Sequence, residues 1–262
     1  MARPPRRIER RRARVTSCPS CERPPASHEP PPQAASGCVR APPDRKDPNV
    51  AAPTTSRFAI AWMNNWHYAA RTVPTDLSDG YNGQMSIVRE LKLARQPGGW
   101  YSLLSQPVPT LQNHVVRTVN LADVTTAGSV NLPYNGSAYQ LDLDISWQQL
   151  NNVGISVGRS ADGSRHTNIG VFQGDVYVDR RPSDRPEYTF GAYGQSNAPI
   201  DPAARFVHLK VLVDKQSVEV FVNAGHTVLS HQVYFETGDT GISVYADGSS
   251  ATFSGITIRE FA

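Results

Sequence analysis

The sequence predicts an all-β chain of two units, the first the size of one four-stranded propeller blade and the second a two-sheet antiparallel β-sandwich, behind a disordered N-terminal leader. Three observations carry this. From residue 57 onward apolar and polar residues alternate in short runs, turn residues (Gly, Asn, Asp) separate the runs, and no stretch keeps a 3.6-residue apolar period. The expected bounds are 1–56 for the leader, 57–107 for the blade and 108–262 for the sandwich.

The leader differs from the rest in composition. Its first fifty residues hold ten Arg and Lys46 against five acidic residues, a local charge of +6, so the remainder carries −3 of the chain's total of +3. The basic character belongs to the leader and says little about what the folded part binds. Eleven of the 21 prolines fall there, and Ile8, Val15, Val39 and Val50 are its large aliphatics. Such a segment buries too little apolar surface to offset a backbone ordering cost of about 1–2 kcal/mol per residue. No aromatic residue interleaves with the arginines to stack on bases, so no nucleic-acid partner is expected. The leader reads as a solvated tail or as the product of a start codon assigned too far upstream.

Cys18, Cys21 and Cys38 are the only cysteines. With His28 they offer zinc-ligand types, but their spacing matches no compact zinc module, and no metal or cofactor is expected. The opening MARPPRRIERRRARV has no apolar core behind its charges, so no signal peptide is readable. No apolar run approaches the ~20 residues that span a bilayer, and no membrane partner is expected.

The blade is read from three runs, residues 58–62 (FAIAW), 85–93 (MSIVRELKL) and 100–104 (WYSLL), with turns at Ser78-Asp79-Gly80 and Pro97-Gly98-Gly99. About fifty residues is the size of one blade. The sandwich is read from runs at 115–119, 139–145, 153–157, 169–172, 176–178, 206–213, 218–222, 228–235, 241–245 and 252–258. Leu141, Leu143 and Ile145 share one face of their run, while Asp142 and Asp144 point the other way. Many short strands separated by turns favour two packed antiparallel sheets.

Several motifs occur in a fixed order: WMNNWHYA at 62–69, Pro74-Thr75, Gly83, SIVRELKL at 86–93, LLSQPV at 103–108, and LKVLVDKQSVEVFVN at 209–223. This series resembles the C-terminal part of glycoside hydrolase family 32 enzymes of the levanase, exo-inulinase and invertase type. The resemblance covers roughly residues 57–262 and implies the last blade of a five-bladed propeller followed by the family's C-terminal sandwich. It also implies a parent that hydrolyses fructosyl bonds of levan, inulin or sucrose with retention, using an aspartate nucleophile, a stabilising aspartate and a glutamate acid/base. Such a parent is expected to be secreted, because fructan polymers are too large to enter cells.

That chemistry needs two carboxyl groups about 5–5.5 Å apart. The resemblance places them in Asn-Asp-Pro-Asn-Gly, Arg-Asp-Pro and Glu-Cys motifs of earlier blades, and the sequence contains no Arg-Asp-Pro and no Glu-Cys. Asp47, in KDPNV, lies ten residues before Arg57, where about four blades would have to intervene, so the match is read as coincidence. Asp142 with Asp144 reads as a solvent-facing pair, and neighbouring Arg89 and Glu90 point to opposite faces of a strand. His67, His114, His208, His226 and His231 accompany no nucleophile at triad spacing.

No catalytic residue is therefore assigned. The resemblance does imply that an aromatic of the first motif lines the wall beside a bound fructosyl unit. Carried over, Trp62 is the first substrate-binding candidate and Trp66 the second, with blade packing as the competing role. The expected function is a truncated fructan-hydrolysing glycosidase, inactive as this chain alone, its missing blades lost or supplied by another polypeptide. The alternative is a non-catalytic fructan-binding sandwich in which Tyr177, Tyr188 or Tyr193 stacks on sugar.

Overall fold

A computed structural model describes residues 57–63, 80–96, 98–149, 151–183 and 194–262. All of them fall in a single unit by their mutual contacts. The leader with Cys18, Cys21, His28, Cys38 and Asp47, and also Trp66, Tyr188 and Tyr193, lie outside the described residues.

The first element is a small antiparallel sheet of β1 (Arg57–Ala59), β2 (Arg89–Arg95) and β3 (Tyr101–Pro107) in that order. A four-stranded blade was expected; the described residues give three strands and a single bridge between Trp62 and Met85. Leu93 lies opposite Leu103 and Arg95 opposite Tyr101 on one face. Leu93 is 71% exposed, and Trp100, Tyr101, Leu103 and Phe58 are all open to solvent. Phe58, paired with Glu90, stands on the other face, and a sheet with this much uncovered apolar surface is not a finished core.

A turn of 3-10 helix (Pro109–His114) follows, which the sequence pattern did not signal; its proline occupies the first turn, where no N–H is needed. The sandwich then forms from two sheets. One runs β11-β10-β9-β8-β15-β6, made of Gln195–Pro199, Asp175–Asp179, Thr167–Phe172, Asn152–Arg159, Gly241–Asp247 and Ser129–Asn135. The other runs β14-β13-β12-β7-β16-β4, made of Thr227–Gln232, Ser217–Val222, Phe206–Asp214, Tyr139–Trp147, Ala251–Phe261 and Val115–Asn120, with β5 (Val124–Thr126) also paired to β16.

The alternation that predicts these strands also builds the core. Leu141, Leu143 and Ile145 of β7 pack with Val207, Leu209 and Val211 of β12 against Val153, Ile155, Ile169 and Val171 of the facing sheet, all essentially without solvent exposure. Each such side chain contributes about 1.5–3 kcal/mol on burial. Gln173 and Gly174 take positive φ in the tight turn between β9 and β10.

Strands β5, β6 and β11 were not foreseen. The β11 segment, QSNAP, carries no β-branched or aromatic residue and pairs only with β10. The β6 segment, SVNLPYN, contains a proline tolerated because the strand is an edge. In both cases partners from afar, rather than intrinsic propensity, define the strand.

Candidate functional site

The backbone around Trp62 is fixed on both sides. Met63 N–H donates to the Gln84 carbonyl (2.9 Å), and Ser86 N–H to the Ala61 carbonyl (2.7 Å). The buried Ser86 hydroxyl accepts from Ala61 N–H at 3.1 Å. Trp62 itself is half-buried at this bridge. Its juxtaposition with Trp66 falls outside the described residues.

The segment after Trp62 is tied to the sandwich. Tyr81 O–H donates to Gln216 Oε1 (2.7 Å), and Gln84 Nε2 to the Gln216 carbonyl (2.6 Å). Farther along, Ile87 N–H donates to Glu219 Oε1 at 2.6 Å, and the Arg89 guanidinium donates to Glu219 Oε2 and to the Ser230 hydroxyl. Glu219 alternates with core-facing Val218 and Val220 and so points out of the sandwich, yet it is only 3% exposed. The small sheet covers it. Arg89 also lies over the Phe221 ring, 5.4 Å from its centre.

The second anchor is a hairpin. Asn223, Ala224 and Gly225 all adopt positive φ, and the Gly225 carbonyl accepts from Ser105 N–H of β3 at 3.0 Å. A Cβ on Gly225 would lie 2.1 Å from the Ser105 carbonyl oxygen. Glycine is required there for both reasons. Sequence reading found neither anchor, although Glu219 and Phe221 on the outward side of V-E-V-F-V are the signal that something lies over that face.

Several described carboxylates are held in ion pairs or hydrogen bonds. Asp142 is held by Arg259 and by Lys210 (3.4 Å), and Asp144 takes a 2.7 Å hydrogen bond with His208. This pair was expected to face solvent; Asp144 does so in part, whereas Asp142 is 15% exposed beneath its cations. Asp239 is buried in a two-point pair with Arg165 (2.8 and 2.7 Å). Arg89 and Glu90 diverge as expected, Glu90 meeting exposed Lys92 at 2.9 Å.

A general acid at neutral pH needs a carboxyl whose pKa is raised. Two described carboxyls shift the other way. Hydrogen bonds from Ser160 and Ser164 hold Asp162 well below the usual range. Burial pushes Asp179 up, but hydrogen bonds from the Arg181 side chain and backbone outweigh it and keep the carboxyl low. Tyr177, expected as an exposed stacking platform, is half-buried with its hydroxyl engaged by Asn152 (2.8 Å) and Tyr245 (2.7 Å). Among the described residues no group of three His, Cys, Asp or Glu is placed to hold a metal ion, and no helix is long and apolar enough to cross a membrane.

A small twisted sheet docked on a two-layer sandwich places the chain among propeller-plus-sandwich proteins. The family follows from sequence comparison. Residues 104–260 match the family described as Glycosyl hydrolases family 32 C terminal, and residues 48–107 match the Glycosyl hydrolases family 32 N-terminal domain. The chain belongs to glycosyl hydrolase family 32.

It is similar to the levanbiose-producing levanase of Bacillus subtilis (strain 168), 43% identical over 218 residues that make up 82% of this chain and 42% of that protein. A levanbiose-producing levanase of Geobacillus stearothermophilus is 40% identical over 158 residues, 60% of this chain and 39% of that protein. Among solved structures, the exo-inulinase of Aspergillus awamori superposes with a TM-score of 0.66 at 24% identity, over 78% of this chain and 40% of that one. Fructan 1-exohydrolase IIa from Cichorium intybus gives a TM-score of 0.64 at 16% identity, over 79% and 45%. These superpositions show the fold. The chain spans less than half the length of each of these four relatives.

Proposed function

We propose that residues 57–107 are the closing blade and residues 108–262 the C-terminal sandwich of a secreted fructan hydrolase whose nucleophile and general acid lie outside them. The observation that carries this reading is the uncovered apolar end of the small sheet. Leu93, Trp100, Tyr101 and Leu103 lie open to solvent at the end of the sheet away from Arg89, as a blade awaiting neighbours would leave them, while the connections of Arg89 to Glu219 and of Ser105 to Gly225 are complete. Levanases and exo-inulinases among the relatives favour levan, inulin or sucrose as the substrate class. The Aspergillus exo-inulinases are named extracellular, which supports a secreted parent.

In this reading Trp62, with Trp66 behind it in sequence, forms part of the wall beside the fructosyl unit. An aromatic face suits the apolar side of a sugar ring. The sequence carries no Arg-Asp-Pro and no Glu-Cys motif, and on this reading the chain alone does not turn substrate over. Fructose release from levan, inulin and sucrose by the purified chain tests this: no release above a protein-free blank is expected, and clear turnover overturns it.

The alternative, a non-catalytic fructan-binding sandwich protein, requires a sugar-sized polar cleft away from the blade. The six-stranded sheet has one.

A further inference from the structure

We infer that the outer face of the six-stranded sheet carries a fructan-binding cleft, separate from the Trp62 wall and independent of catalysis. The cleft has a volume of about 300 Å³, at the lower end of the range for ligand sites. Strand register builds it. Ser129, Tyr245, Gly154, Gly170 and Tyr177 form one cross-strand row, and Asn131, Ser243, Ser156 and Asn168 form the next. All point away from the core, because Val153, Ile155, Ile169 and Val244 alternate with them toward the inside.

The two glycines make room for the floor. A Cβ on either Gly154 or Gly170 would sit 2.6 Å from the Tyr245 hydroxyl oxygen. Without them the tyrosines could not fold flat across the sheet, and ordinary side chains would fill the groove. One end is then locked by a directed chain of hydrogen bonds. Tyr177 O–H donates to Asn152 Oδ1 (2.8 Å), Asn152 Nδ2 donates to Asp247 Oδ2 (2.8 Å), and the Tyr245 hydroxyl, 2.7 Å from that of Tyr177, is left to donate to it.

The other end keeps free hydrogen-bonding capacity. Ser156 O–H donates to Asn168 Oδ1 (2.7 Å), which leaves the Asn168 amide N–H groups for a ligand. His166 Nδ1 is 3.0 Å from the Gly163 carbonyl and so carries its proton there, leaving Nε2 as an acceptor. Arg159 forms no ion pair among the described residues, and the Ser243 hydroxyl, on a residue 1% exposed, has no partner among them. Arg159, His166 and Asn168 are half-buried, so their free groups are open to a ligand or to water.

The chemistry of the lining selects the ligand. Donors and acceptors are mixed, one cation and one carboxylate stand at opposite ends, and the floor offers hydroxyls and amides rather than aliphatic carbon. A polyanion would require more positive charge, and a lipid an apolar floor. A neutral polyol, which donates and accepts at every carbon, fits both conditions. That it is a fructan rests on the function proposed above.

Affinity electrophoresis of the purified full chain in gels containing levan, inulin or dextran tests the inference. Levan or inulin is expected to retard the chain and dextran to leave it unaffected. Arg159→Ala and Asn168→Ala should each weaken retardation about tenfold with an unchanged melting temperature, whereas Lys215→Ala, on the other sheet, should match the parent. Absence of retardation in all gels, or retardation indifferent to both cleft variants, overturns the site. Retardation by dextran alone, lost in the cleft variants, retains a sugar site and overturns its fructan assignment.

Discussion

The Arg89 guanidinium reaches from the small sheet to the carboxylate of Glu219, which points out of the sandwich and is sealed from water by the sheet that Arg89 belongs to. Neither residue has this environment in its own unit. Their pairing joins the two β units, together with the Ile87–Glu219, Gln84–Gln216 and Ser105–Gly225 hydrogen bonds.

Arg89→Ala should therefore cost about 3 kcal/mol or more, because it leaves a buried carboxylate without its cation. Urea unfolding would measure the loss, and limited proteolysis should show earlier cleavage within residues 57–107. A loss below 1 kcal/mol would mean that the pair is solvated in solution and does not join the units. Replacing both partners with apolar residues should restore part of the loss, since no charge is then stranded.

Gly225→Ala should destabilise by about 1–3 kcal/mol, since a methyl group at positive φ is strained and also strikes the Ser105 carbonyl. The equivalent change at Gly174 meets nothing within 4 Å and should cost only the strain of its φ. Comparing the two melting temperatures separates loss of blade docking from backbone strain.

His231 gives a pH-dependent prediction. Burial and the nearby Arg180 charge push its pKa down from 6.5 to about 3, and its Nε2 meets the Ser196 hydroxyl at 2.5 Å across the sandwich edge. Above pH 6.5 the ring is neutral folded or unfolded, so this group leaves stability unchanged. Below 6.5 the unfolded chain takes up a proton that the folded chain refuses, and stability should fall by about 1.4 kcal/mol per pH unit until about pH 3. His231→Gln should remove that slope while leaving the carboxylate contribution. Parallel profiles for the two proteins between pH 6 and 4 would contradict it.

What the sequence revealed and what it hid have physical causes. The β7 and β12 strands were readable because one face is core and the other polar, the pattern that alternation encodes. The β13 strand was readable as a strand but not as an interface: Glu219 and Phe221 are buried by residues some 130 positions earlier in the chain. The β11 strand exists because β10 pairs with it, so composition gave no sign. The candidate tryptophans came from motif order, whereas the polar cleft depends on Gly154 and Gly170 lying side by side on adjacent strands, a relation that local sequence does not record.

A chimera gives Trp62 a functional test. Residues 57–262 would replace the matching part of the Bacillus subtilis levanbiose-producing levanase, which is 43% identical to this chain over 218 residues. In that protein Trp62→Ala should lower kcat/KM on levan by about tenfold or more, as expected for losing a large aromatic contact, with the melting temperature preserved. Unchanged kinetics would leave Trp62 as a packing residue.

The same chimera shows whether residues 57–262 can complete a levan hydrolase. Levan hydrolysis should be restored in the chimera and undetectable with the chain alone, since on the proposed function the donor supplies the acid and nucleophile and these residues complete the fold. A chimera that folds cooperatively yet releases no sugar, or a chain that hydrolyses levan unaided, would contradict the account.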